Sequence, residues 1–113
     1  MNRVFIIEQP KVSTDGLQSY GELNVLFPSG QRRSSVLRCD LFMQDVVRRL
    51  REVRFDPEVD RFCITPPLLT TSLALSALVM YCGQSPLHLV VFNASTGGYE
   101  ERRVNLETVC IQH

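Results

Sequence analysis

The sequence predicts an α/β fold: one small domain over residues 1–113, in the order β–β–α–β–α–β–β. Three observations carry this. Four short apolar runs have the length and β-branched content of strands. Two longer runs with helical character stand between strands, which argues for a mostly parallel sheet flanked by helices. The last strand-like run follows a glycine-rich turn and is heavily charged, which makes it an antiparallel C-terminal edge strand.

Each element has its own justification. Val4 to Glu8 reads VFIIE and is apolar on both faces, as a strand covered on two sides requires. Turn formers follow, and Asp15 to Tyr20 has room for one helical turn. Gly21 to Phe27 is the second strand, and Pro28-Ser29-Gly30 stops it. Gln31 to Arg38 is polar and basic, a loop. Asp40 is the candidate N-cap of the first helix. Behind it Phe42, Val46, Leu50 and Val53 recur at helical spacing, widened by Leu41, Met43 and Val47. Asp45 and Glu52 stand four residues from Arg49 and Arg48, so this helix carries a salt-bridged outer face. Pro57 closes the helical region.

Arg61 to Thr65 is the third strand. Leu68 to Cys82 is apolar nearly all round and ends at Gly83, a C-cap. Such a helix is expected to be buried on most sides, either at the centre or in a homodimer interface. Leu87 to Asn93 is the fourth strand, Ala94 to Gly98 the hairpin loop, and Tyr99 to Leu106 the edge strand. Glu107 to His113 has no assigned structure. The layout is Rossmann-like, in two or three layers.

Composition excludes several classes. The chain is 44% hydrophobic and 21% charged, and its twelve basic and twelve acidic side chains cancel. A strongly basic nucleic-acid wrapper and an acidic disordered tail are both excluded. A chain this long buries roughly two thirds of its unfolded surface and holds a core without metals or disulfides. Lys11 is the single lysine, so the cations are almost all arginine. Arginine suits phosphates and carboxylates, although a GC-rich genome produces the same bias. The N-terminus has no long apolar signal region, and the run Pro66 to Cys82 is shorter than the roughly 20 residues that span a bilayer. A cytoplasmic protein with no membrane association is expected.

Cys39, Cys63, Cys82 and Cys110 are too far apart for a zinc knuckle, and no metal or cofactor is expected. They read as small buried hydrophobes. His88 lies inside an apolar strand and reads as a buried structural histidine rather than a general base. Tyr20 and Tyr99 read as packing residues with a wet tip. No catalytic residue emerges.

A ligand site, if there is one, belongs at the C-terminal edge of the parallel strands. Four loops meet there: Gln9 to Thr14, Pro28 to Arg33, Thr65 to Ser72, and Asn93 to Thr96. The candidate ligand-binding residues are Ser29, Gly30, Arg32, Arg33, Thr65, Thr70, Thr71, Ser72 and Asn93. Thr65 as cap of the second helix, with Pro66 in its first turn, makes an anion-friendly helix start. This fits a phosphate or nucleotide ligand. No phosphate-loop motif accompanies it, however, and Pro66 and Pro67 remove two amide donors. The same hydroxyls also suffice to satisfy helix-end amides.

Several segments in order carry a resemblance. They are VFIIEQP near the start, SYGELNVLFPSG, DPEVD before a short strand, a small-residue helix, and LVVFNASTGGYEERRVNL. Together they resemble a loose group of small α/β proteins encoded by tailed bacteriophages. The chain departs from that group at Thr65-Pro66-Pro67, where the group has a glycine-containing turn, and at Phe92-Asn93, where it has an aromatic and an acid. The resemblance implies an α/β fold and transfers no activity and no catalytic residue.

The function expected on these grounds is that of a small accessory protein acting non-enzymatically, in the host cytoplasm, by binding a host or phage macromolecule, most naturally a protein. One alternative is a nucleotide or phosphate-ligand binder that sequesters or cleaves a defence signal. The other is a virion or assembly component.

Overall fold

Residues 2–29, 32–83 and 85–105 are described by the computed structural model. Arg3–Ile6 forms β1 and Glu22–Val25 forms β2, with a 3-10 helix, Asp15–Ser19, between them. Helix α1 (Cys39–Glu52) leads to β3 (Arg61–Ile64), and α2 (Leu68–Cys82) leads to β4 (Leu87–Asn93). A hairpin then leads to β5 (Gly98–Val104). The sheet order is β2-β1-β3-β4-β5. The first four strands are parallel, and β5 runs antiparallel to β4. The predicted mostly parallel sheet with an antiparallel edge is therefore the observed one. The β1–β2 ladder continues past the strand ends, with Leu26 and Phe27 amides donating to the Ile6 and Ile7 carbonyls.

Strand periodicity explains the layers. Phe5, Ile7, Phe62, Leu87 and Leu89 point to one face and meet Phe42, Val46 and Leu50 of α1 and Ala74, Ala77 and Leu78 of α2. Burying a side chain of this size contributes roughly 1.5–3 kcal/mol. The alternate residues Val4, Ile6, Cys63 and Val90 point the other way. Leu17 and Tyr20, from the 3-10 segment, cover them together with Tyr99. The path runs from β1 to β2 on one side, then back across to β3 on the other. Because parallel crossovers keep one hand, that reversal places the first connection opposite the two helices.

Two sets of polar contacts secure the layers. Tyr20 donates its hydroxyl to the Tyr99 carbonyl (3.0 Å), and Tyr99 donates to the Ser13 carbonyl (2.7 Å). Arg3 grips buried Asp60 with two nitrogens, at 3.1 and 2.8 Å, and also donates to the carbonyls of Val53 and Arg54. This guanidinium ties the start of β1 to the exit of α1.

Several local expectations are corrected. Asp40 is not the cap of α1: Arg38 occupies that position without a side-chain cap bond, and Asp40 lies in the first turn. Thr65 does not cap α2, whose N-cap is Pro67. Its hydroxyl donates instead to the Pro66 carbonyl. Within one chain, helix α2 is buried on one side and half-buried at its flanks, so it is not the central helix that its all-round apolar sequence allowed. Its small residues Thr70, Thr71, Ala74 and Ala77 face inward, and Leu68, Leu69 and Met80 face out. A single sheet and one neighbouring helix cannot surround it. The Asp45–Arg49 pair does not form, because Arg49 turns to the Leu26 carbonyl and to Glu52. His88 is half-buried, on the sheet face away from the helices. Cys39 is exposed, since its position on α1 turns away from the sheet. Gly83 does end α2, with φ 65°. The segment 107–113 and Cys110 lie outside the described residues.

Candidate functional site

The topology places one crevice. Chain connections diverge from β1 and β3, so the C-terminal ends of these two strands form the switch point of the sheet. Glu8 follows β1 there, and Thr65 follows β3. The loop after β2 brings Ser29, Arg32 and Arg33 to the same edge, and Asn93 ends β4 there. Neighbouring strands are about 4.8 Å apart, so Asn93 stands about 10 Å beyond the end of β1. The eight predicted residues that are described share an edge but not a single pocket.

Most of their polar atoms are engaged within the chain. Arg33 pairs with Glu8, donates to the Ser34 carbonyl (2.9 Å), and stacks over Phe42 (5.1 Å). Buried Thr71 donates to the Thr65 carbonyl (2.7 Å), and Ser72 donates back to Leu68 (2.6 Å). Thr70 is buried. Asn93 organises the hairpin by accepting from the Ser95 amide and donating to Glu100. Ser29 and Arg32 are exposed, and neither side chain has a partner among the described residues. Gly30 lies outside the described residues.

Arg32 and Arg33 do come together, in a shallow basic recess of about 310 Å³ completed by Ser34, Asp45 and Arg48. Asp45 organises it. Its carboxylate accepts the Ser34 amide at 2.7 Å and an Arg48 nitrogen at 2.8 Å. The Ser34 amide, and after it Arg48, holds the Asp45 carboxyl below its ordinary range. Sequence reasoning had Asp45 and Arg48 on the helix surface and Ser34 in a featureless loop. No local signal links position 34 to 45, because their contact depends on how the loop after β2 folds back onto α1.

The same edge carries three exposed leucines. Leu37 precedes α1 and is 83% exposed, while Leu68 and Leu69 open α2 at 63% and 58%. Both helices start at the C-terminal edge, so all three lie on that side of the molecule.

Two of the described thiols are held protonated. Burial pushes the Cys63 thiol up to about 12, and burial followed by the nearby Asp56 charge pushes Cys82 to about 11. Neither is a thiolate near neutrality. Among the described residues no cluster of three His, Cys, Asp or Glu side chains could hold a metal ion. No described helix is long and apolar enough to cross a membrane. No protein-family model matches the chain, and comparisons with curated proteins and with solved structures return no match.

Proposed function

We propose that this chain is a non-enzymatic binding protein, a small accessory protein of the phage type, which engages a partner protein through the C-terminal edge of its parallel strands. The observation that carries this reading is the exposure of Leu37, Leu68 and Leu69 on that edge. Large apolar side chains gathered on one side of a small domain mark an interaction surface. The internally bonded hydroxyls and raised thiols of the same fold fit binding better than turnover.

The test is site-specific photo-cross-linking in cells, with the cross-linker at position 37 or 68 and a control at exposed Glu22. The expected result is a discrete adduct to another protein from positions 37 and 68. It should be lost from position 37 when Leu68→Ser and Leu69→Ser are introduced. Equal adducts from position 22, or none from 37 and 68, overturn the reading.

A second reading rests on the basic recess at Arg32, Arg33 and Arg48, which fits a phosphate-bearing small molecule such as a nucleotide. Native mass spectrometry of protein purified from cells tests it. A retained mass of nucleotide size that Arg32→Ala with Arg33→Ala removes supports this reading. A bare chain mass counts against it.

A further inference from the structure

The outer face of the helical layer has a charge pattern that matches itself. Asp40, Met43, Gln44, Val47, Arg48 and Arg51 recur at i, i+3, i+4, i+7, i+8 and i+11, so they form one stripe along α1. With Met80 of α2 they line a groove of about 520 Å³. Met80 is 72% exposed and forms the α2 wall of the groove. The stripe is acidic at its N-terminal end, apolar at its centre and cationic at its C-terminal end. Arg48 is held by Asp45 and Glu52. Asp40 and Arg51 have no side-chain partner among the described residues.

We infer that this groove takes a second copy of the chain, with α1 packed antiparallel to α1 of the partner about a two-fold axis. Asp40 and Arg51 stand about 16 Å apart along the helix and are symmetric about its midpoint between positions 45 and 46. A two-fold there sets each Asp40 against the Arg51 of the partner, twice over. It also sets Gln44 against Val47, and Met43 against the apolar stem of Arg48. Two-fold interfaces reuse one patch on both copies, so a patch with opposite charges at equal distances from its centre is complementary to itself. Parallel packing would stack Asp40 on Asp40 and Arg51 on Arg51. The methionines at the centre adapt their shape to the facing helix. The stripe runs along α1 away from the leucine-bearing edge and meets it only near Asp40, so Arg51 variants test the self-association and Leu68 and Leu69 variants test the partner reading separately.

Charge reversal with rescue tests the inference, read as the dimer dissociation constant from sedimentation equilibrium. The wild-type chain is expected to dimerise, and more weakly as salt is raised. Asp40→Arg alone and Arg51→Asp alone should each weaken the dimer by about tenfold or more, since each creates two like-charge contacts. The double variant should restore dimerisation, because both pairs are re-formed with their signs exchanged. Circular dichroism on each variant confirms that these surface changes leave the helices intact. A wild-type chain that stays monomeric at about 100 μM overturns the inference, and so does a dimer indifferent to all three variants. Disulfide trapping gives a second readout in a Cys39→Ser background. Chains carrying Gln44→Cys should cross-link to chains carrying Val47→Cys. Efficient Cys39–Cys39 linkage in the wild-type chain would mean parallel packing and would overturn the arrangement.

Discussion

Asp45 joins the loop after β2 to helix α1, because its carboxylate takes both the Ser34 amide and Arg48. Its pKa is lowered in the folded chain, so folding favours the ionised form. The stabilisation this provides is complete above the unfolded value, about 3.9, and is lost as the pH falls through the lower native value. Urea titrations from pH 6 to pH 2 should therefore show a steeper loss of stability in the wild type than in Asp45→Asn. Equal slopes would remove Asp45 from the acid response. Gly21 carries a different constraint. Its φ is 150°, and an added Cβ would lie 2.7 Å from the Asn2 carbonyl oxygen. That oxygen accepts the Glu22 amide at 3.0 Å and cannot easily retreat. Gly21→Ala should cost about 1–3 kcal/mol, read as a lower melting temperature. A variant that melts with the wild type would show that the β1–β2 start relaxes freely. Neither role is written in the local sequence. Asp45 was legible as a helix-surface acid and Gly21 as the first residue of the second strand, but their partners come from 11 and 19 residues away.

Among the elements, the two helices show where periodicity informs and where it fails. The stripe of Phe42, Val46 and Leu50 predicted the buried face of α1 correctly. In α2 leucines occur on every side, so composition could not say which side the sheet would cover. The sheet took the side with Thr70, Thr71, Ala74 and Ala77, because small residues let a helix approach closely. Leu78 joins them in the core, and Leu68, Leu69 and Met80 were left outside. The 3-10 segment depends on a tyrosine that the sequence marked only as a packing residue. Tyr99 stacks near Phe92, at 5.3 Å between ring centroids, and holds the Ser13 carbonyl. Tyr99→Ala should cost about 2–3 kcal/mol. It should also speed alkylation of Cys63, which lies beneath the same cover. If Cys63 stays as slow to react as in the wild type, the 3-10 segment is held by its other contacts alone.

At the scale of the whole molecule, burial sorts the thiols, and the proposed pairing through α1 makes stability depend on concentration. Exposed Cys39 should react with a thiol reagent in the folded chain, whereas Cys63 should react only as the chain opens globally. Fast native labelling of Cys63 would contradict the observed cover over that face. If the chain pairs through α1, its melting temperature must rise with protein concentration, because association stabilises the folded form by mass action. A midpoint constant over a hundredfold range of concentration would argue for an isolated monomer.

The sequence by itself determined the elements, their order, the mostly parallel sheet and the charged antiparallel edge. These follow from short-range patterns: apolar runs of strand length, a 3.6-residue stripe, and glycines where the backbone turns. It also determined which edge the loops would share, because parallel strands bring their C-terminal ends together. Only the tertiary structure decided the strand order 2-1-3-4-5, the small-residue face by which α2 meets the sheet, and the pairing of Arg33 with Glu8 and of Ser34 with Asp45. Each of these is a choice among contacts distant in the chain. Such a choice is made by packing and by the satisfaction of buried polar groups, which a local pattern does not encode.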